Sequence, residues 1–293
     1  MSALAPLRTW GEMIKLSHSV FALPYALLAT FLAARPDLPQ PPQLALIVVC
    51  MVAARSAAMT FNRLVDAEFD ARNPRTASRP LVRGTITRPV AWTFFFGSSL
   101  AFVASAAGFL LLKNPWPLYL AAPVLAVLLV YSYAKRFTRW SHLLLGAAIA
   151  LSPVAAWIAI RPDTLGPPAW LLMAAVTCWI AGFDVIYACQ DTDFDRSAGL
   201  HSLPAAIGVG PALWVARFLH LLTVAILLAV GQQAQLGALY YAGVACVAVL
   251  LVIENSIVSA RDLSRVNMAF FTINGVVGLL LGGLGILDVC LAR

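Results

Sequence analysis

A chain of 293 residues that is 61% hydrophobic and 11% charged is excluded as a soluble globular domain, whose charged share is roughly a quarter. The net charge of +7 would suit a nucleic-acid binder, but the twenty Lys and Arg residues fall in step with the apolar runs. That pattern is a membrane topology signal, so the expected partner is the lipid bilayer and no nucleic acid.

Taken in chain order, apolar runs occupy residues 17–34, 44–61, 90–112, 118–134, 143–160, 170–189, 212–230, 236–253 and 268–291. Each is near the length that a hydrocarbon core of roughly 30 Å demands of a helix, and no polar segment between them is long enough to fold alone. The fold class is therefore an all-α integral membrane protein of about nine transmembrane helices, one membrane domain over 1–293. The first run follows a polar lead with Arg8, Glu12 and Lys15 and precedes no clear small-residue cleavage site, so it is expected to span rather than to be a removed signal. The N-terminal lead and the loops after the second, fourth, sixth and eighth runs carry fifteen of the twenty cations, against Arg35, Lys113, Arg161 and Arg293 on the other side. The positive-inside rule then makes the N-terminus cytoplasmic and the C-terminus external, in a multi-pass protein of the cell (inner or plasma) membrane. The five cysteines lie in or at the ends of apolar runs without metal or redox spacing and read as small packing residues.

Seven of the thirteen acidic residues crowd into two short segments, at the ends of the second and sixth runs. The first runs from Asn62 through Asp66 and Glu68 to Asp70; the second runs from Asp184 through Tyr187, Asp191 and Asp193 to Asp195. Four residues of α-helix turn about 400° and rise about 6 Å, so Asn62, Asp66 and Asp70 should form one stripe, and Tyr187, Asp191 and Asp195 another. Stacked carboxylates repel each other, and near a bilayer they want a cation between them. Oxygen ligands without paired His or Cys favour a hard ion, and a few carboxylates at a wide site suit Mg²⁺ that keeps waters and shares phosphate oxygens. Four crossings separate the two runs, so both stripes are expected at the cytoplasmic face. The cores are also in register 125 residues apart, which points weakly to an internal duplication.

Cations follow the acids. A loop broken by two prolines carries Arg72, Arg75 and Arg79, which could clamp phosphate oxygens or merely set topology. Lys135 and Arg136 cap the fourth run on the same face, and Lys135 is the best single candidate for a phosphate. His142 and His201 lie nearby; a lone histidine is more often a satisfied polar residue than a catalyst.

The two aspartate segments, their separation and the Lys135-Arg136-Phe137-Thr138 turn resemble the UbiA superfamily of intramembrane prenyltransferases over essentially the whole chain. The resemblance implies nine helices around a central cavity, with Mg²⁺ and a prenyl diphosphate bound by the aspartate motifs. Carried over, the first motif falls on Asn62, Asp66 and Asp70, and the second on Asp184, Tyr187, Asp191 and Asp195. Arg63 departs from the pattern, since many members have an aspartate there. The segments from Lys15 to Pro24 and from Leu200 to Pro204 resemble the bacterial 4-hydroxybenzoate polyprenyltransferase-like branch and the similar futalosine-pathway menaquinone branch. The implied reaction is Mg²⁺-dependent electrophilic aromatic substitution, moving a polyprenyl group from its diphosphate to an aromatic quinone precursor, 4-hydroxybenzoate or 1,4-dihydroxy-6-naphthoate. Asp66, Asp70, Asp191, Asp195 and Tyr187 would be catalytic. Arg72, Arg75, Arg79, Lys135 and Arg136 would hold diphosphate, and Arg63, Asp184, His142 and His201 would serve the acceptor or support the others. The same fold with another lipophilic acceptor is one alternative. An ion-coupled transporter is another, but it calls for acids near the bilayer midplane.

Overall fold

The computed structural model describes residues 5–14 and 19–292. Lys15, Ser17, His18 and Arg293, which enter the motif and topology arguments above, lie outside the described residues. With no water in a bilayer core to take up backbone polar groups, a spanning chain must satisfy them within helices. Among the described residues the regular structure is indeed helical. The long helices are α1 (Ala5–Ile14), α2 (Ser19–Ala34), α3 (Pro41–Arg72), α4 (Arg88–Gly108), α5 (Trp116–Val130), α6 (Ser141–Ile160) and α7 (Pro167–Ala188). Two short helices follow, α8 (Thr192–Ser197) and α9 (Leu203–Ile207), and then α10 (Val209–Gln233), α11 (Ala238–Ile257), α12 (Val266–Met268) and α13 (Asn274–Leu291). A π-helical turn, Ala269–Ile273, joins α12 to α13.

Among the described residues eight helical stretches are long and apolar enough to cross a membrane, and the apolar Phe21–Ala34 is a shorter one. At 16 residues α2 is about 24 Å long. Exposed Leu100, Val130, Leu221 and Val252 are surface that lipid solvates without cost.

The chain forms two compact units. In the first, which holds residues 45–133 and the N-terminal helix, Met13 of α1 and Ala57 and Leu64 of α3 pack with Ile86, Ala91 and Phe95. The apolar run on α3 stops near Phe61, yet the helix continues to Arg72 and reaches about 48 Å, longer than a bilayer core. Asn62, Asp66 and Asp70 ride on that extension. It ends where Pro74 disfavours helical geometry at the preceding residue. There the side-chain oxygen of Asn73 accepts the Arg75 N–H at 3.0 Å, while its carbonyl accepts from Thr76 and Ala77.

In the second unit α7 is the most enclosed of the candidate spans, with α6 and α10 laid against it. Small residues let the backbones approach, as in other membrane helix pairs. A Cβ added to Gly146 of α6 would come within 2.5 Å of the Thr177 carbonyl oxygen of α7, and one added to Gly182 would strike the His220 ring of α10. At one end of this unit Arg35 donates to the Ala234 carbonyl at 2.6 Å and Arg161 donates to the Arg35 carbonyl at 2.9 Å. The segments that follow α2, α6 and α10 therefore meet at one end, as an alternating up-and-down path requires.

Candidate active site

The first half-site is built on α3 and the turn after it. Asn62 and Asp66 sit one turn apart, and the Asn62 amide donates to Asp66 Oδ2 at 3.0 Å. Arg63, which replaces the acid of the family pattern, is buried at 7% exposure and donates to Asn62 Oδ1 at 3.2 Å. Its electrostatic neighbours include Arg79, Asp70, Tyr131 and Asp66, so it offsets the charge of the stripe from within. Asp70 is buried and held by the Arg79 guanidinium, which contacts both of its oxygens. Thr76 fixes that geometry by donating to the Asp70 carbonyl at 3.0 Å, which folds the loop back over the helix end.

The three loop arginines thus differ. Arg79 faces the stripe. Arg72 is exposed, donates to the Glu68 carbonyl at 3.3 Å and lies over the Phe69 ring at 5.0 Å. Arg75 is half-buried at the start of the turn. Glu68 points to solvent, as its place off the stripe requires.

The second half-site departs from the expected continuous stripe. The helix α7 ends at Ala188, a 3₁₀ turn covers Cys189–Asp191, and α8 begins at Thr192, so Tyr187, Asp191 and Asp195 do not share one unbroken α-helix. Local side chains account for the break. Thr192 Oγ1 donates to the Cys189 carbonyl at 2.9 Å and the Gln190 amide donates to the Tyr187 carbonyl at 3.3 Å, so both bond where the helix ladder would run. Asp191 and Asp195 are buried, whereas Asp193 is exposed.

Support for this half-site comes from segments far apart in sequence. His142, on α6 and 2% exposed, bonds Asp184 Oδ2 through Nδ1 at 2.6 Å and accepts the Leu203 backbone N–H on Nε2 at 3.2 Å. The Leu203 donor assigns the proton to Nδ1, which fixes the tautomer and makes Asp184 its acceptor. The lone histidine is therefore a tie between α6, α7 and the start of α9. His201 contributes backbone: its N–H donates to the Lys135 carbonyl at 2.6 Å, and its carbonyl accepts from Ser141 at 3.5 Å, while its side chain is exposed. Lys135 and Arg136 stand half-buried on a 3₁₀ turn, Tyr131–Arg136.

Ser202 is a residue that sequence reasoning missed. Fully buried, it caps α9 by accepting the Ala205 N–H at 3.4 Å and hydrogen-bonds Asp195. The signal was there in Ser202-Leu203-Pro204, a capping residue just before a helix-starting proline.

These donors suit a hard divalent ion. Asp195 Oδ2 is buried and without a hydrogen-bond partner, which is costly unless something positive completes it. Lys135 already acts on that carboxylate, alongside Asp191. Among the described residues no three His, Cys, Asp or Glu side chains make a closed metal cage. Carboxylates in ones and twos fit Mg²⁺, which holds its waters and is shared with phosphate oxygens.

Residues 22–276 match the model of the UbiA prenyltransferase family. The chain is 29% identical over 282 residues to a 4-hydroxybenzoate octaprenyltransferase of Alkalilimnicola ehrlichii, with 94% of each chain covered. The apo structure of a UbiA homolog from Aeropyrum pernix K1 is 34% identical, superposes with a TM-score of 0.83, and covers 92% of this chain and 98% of its own. A UbiA homolog from Archaeoglobus fulgidus, solved bound to GPP and Mg²⁺, shares the fold at 20% identity and a TM-score of 0.73, with 96% and 99% covered. Half-sites, membrane helices and family match agree: the chain belongs to the UbiA prenyltransferase family and is a multi-pass membrane enzyme.

Proposed function

We propose that this enzyme transfers a polyprenyl group from its diphosphate to the ring of an aromatic quinone precursor at the cytoplasmic face of the cell membrane, with residues 1–293 acting as one prenyltransferase domain. The observation that carries the reading is the pair of acidic half-sites, each with cations beside it and one with a carboxylate oxygen left open. Asp66 and Asp70, and Asp191 and Asp195, with Asn62 as a neutral oxygen donor, would hold Mg²⁺, which would supply electrophilic pull on the leaving diphosphate.

The chain's own residues do the rest. Arg79, paired with Asp70 in this structure, carries a planar fork that matches phosphate oxygens as well as a carboxylate, so it would bind the diphosphate beside the stripe. Lys135 and Arg136 add charge to the same leaving group, with Arg72 and Arg75 as outer contributors. The allylic carbon–oxygen bond breaks with its electron pair going to the diphosphate. The Tyr187 ring, one turn before Asp191, offers its face to the resulting cation. A ring carbon of the acceptor, activated by a hydroxyl, forms the new bond and gives up its proton to the released diphosphate. Arg63 or Arg136 would neutralise an acceptor carboxylate, and Asp184 with His142 holds the Tyr187 segment in place. His201 acts through its backbone.

The name carried by the curated relatives supports 4-hydroxybenzoate as acceptor, and 1,4-dihydroxy-6-naphthoate is the competing aromatic. Purified protein incubated with Mg²⁺ and prenyl diphosphates against both acceptors in parallel, with products read by mass spectrometry, separates them. A prenylated 4-hydroxybenzoate is expected. Product from the naphthoate alone would move the enzyme to the menaquinone branch, and intact substrates throughout would overturn the reading.

A further inference from the structure

Three buried polar side chains in the second unit have no part in the chemistry above. The Trp179 indole N–H of α7 donates to Asn274 Oδ1 at 2.7 Å, and the Asn274 amide donates to Glu254 Oε1 of α11 at 2.8 Å and to the Ala269 carbonyl at 3.1 Å. All three side chains are 0% exposed, and Glu254 Oε2 is buried without a partner. Apolar residues would fill this space at lower desolvation cost, so the chain of bonds must hold something in place.

What it holds is the π-helical turn. Asn274 is the first residue after Ala269–Ile273, and its amide takes the Ala269 carbonyl at the start of that turn. Single π turns are rare and are frequent at functional sites. This one presents two rings. Phe270 lies 4.2 Å from Tyr187 and 5.1 Å from Phe183, centroid to centroid, and Phe271 lies 6.4 Å from Tyr187. The same network reaches the opposite side of the ring cluster, because Trp179, Phe183 and Tyr187 follow one another at steps of four on α7, with Phe183 5.3 Å from Trp179.

We infer that the Trp179, Asn274 and Glu254 chain is a positioning device that sets the π turn, so that Phe270 backs the Tyr187 ring and holds it in one orientation beside Asp191. The inference rests on the prenyl-transfer reading only for its effect on rate; the clamp itself is a matter of geometry. A ring displaced from a developing cation forfeits part of its stabilisation, and misplacement of a group by about an ångström costs still more in rate.

The test compares Glu254→Gln, Asn274→Leu, Trp179→Phe, Phe270→Leu and the Asn274→Leu/Phe270→Leu pair in purified full-length protein, by steady-state turnover and by amide hydrogen exchange over 269–273. Glu254→Gln keeps the acceptor for Asn274 and should stay within about twofold of the parent. Asn274→Leu and Phe270→Leu should each lower kcat by about tenfold with KM for the prenyl diphosphate unchanged. The double variant should be no slower than Phe270→Leu alone, because both changes act through one ring. Exchange over 269–273 should accelerate in Asn274→Leu. Trp179→Phe loses the N–H but keeps the ring, and should shift both readouts the same way if Asn274→Leu fails to fold. Equal loss in Glu254→Gln would assign the effect to the carboxylate's charge and overturn the inference, as would additive losses or unchanged exchange. An inactive parent enzyme would instead overturn the prenyl-transfer reading, and the exchange data alone would then decide the clamp.

Discussion

His142 ties three segments through two nitrogens, and losing it would leave the Leu203 N–H and the Asp184 carboxylate without their partner. His142→Ala should cost about 1–3 kcal/mol and lower the unfolding temperature in detergent, read by a thermal scan, whereas the surface change His201→Ala should leave it unmoved. Arg79 gives a prediction of the opposite kind. Its replacement by Ala should raise KM for the prenyl diphosphate by about tenfold, the loss expected of a charge-assisted bond, and leave thermal stability within about 1 kcal/mol because the pair is partly solvated. Asp66, Asp70, Asp191 and Asp195 were legible in the sequence because spacing and scarcity of charge single them out. The Nε2 partner of His142 was not, since Leu203 lies 61 residues away and only tertiary folding brings it in; the Ser202 contact of Asp195, though near in sequence, depends on how the chain turns back after α8.

At the scale of the element, α3 and α7 behave differently although their acidic motifs have the same spacing. Period alone predicts a helix for both. On α3 nothing interrupts the ladder before Asn73, so the stripe forms as read. After α7, Gln190 and Thr192 bond back to carbonyls and tighten the chain into a 3₁₀ turn, a competition that a spacing argument does not weigh. The helix boundaries inside the apolar runs were close to those expected, because hydrophobic length sets them, and the stripe implied the continuation of α3 past Phe61, whereas its end at Arg72 came from the structure. The close pairing of α6 with α7 makes its own prediction. Gly146→Val places a branched side chain against the Thr177 carbonyl, which cannot yield without moving α7, and should cost about 1–3 kcal/mol in thermal stability. Gly97, with open space around it, should accept Ala without loss.

For the whole molecule, composition made the membrane class and its helical fold legible in the sequence, since the bilayer leaves few ways to satisfy a backbone. Topology remains to be measured: reporter fusions or cysteine labelling should place residues 73–87 and the Lys135 turn on the cytoplasmic side and the Arg35 and Arg161 segments outside. Activity should vanish on chelation with EDTA and return with added Mg²⁺, while the fold persists, because helices and close packing rather than metal hold each unit in its fold. The measurement that bears most directly on the central claim is a comparison of the parent enzyme with Asp66→Asn and Asp191→Asn, scored for Mg²⁺-dependent release of diphosphate and for prenylated product in the same reaction. Loss of both signals by about a hundredfold or more in each variant, with unfolding temperatures unchanged, is the predicted result; full product formation by either variant would contradict the assignment of prenyl transfer to the paired aspartate half-sites.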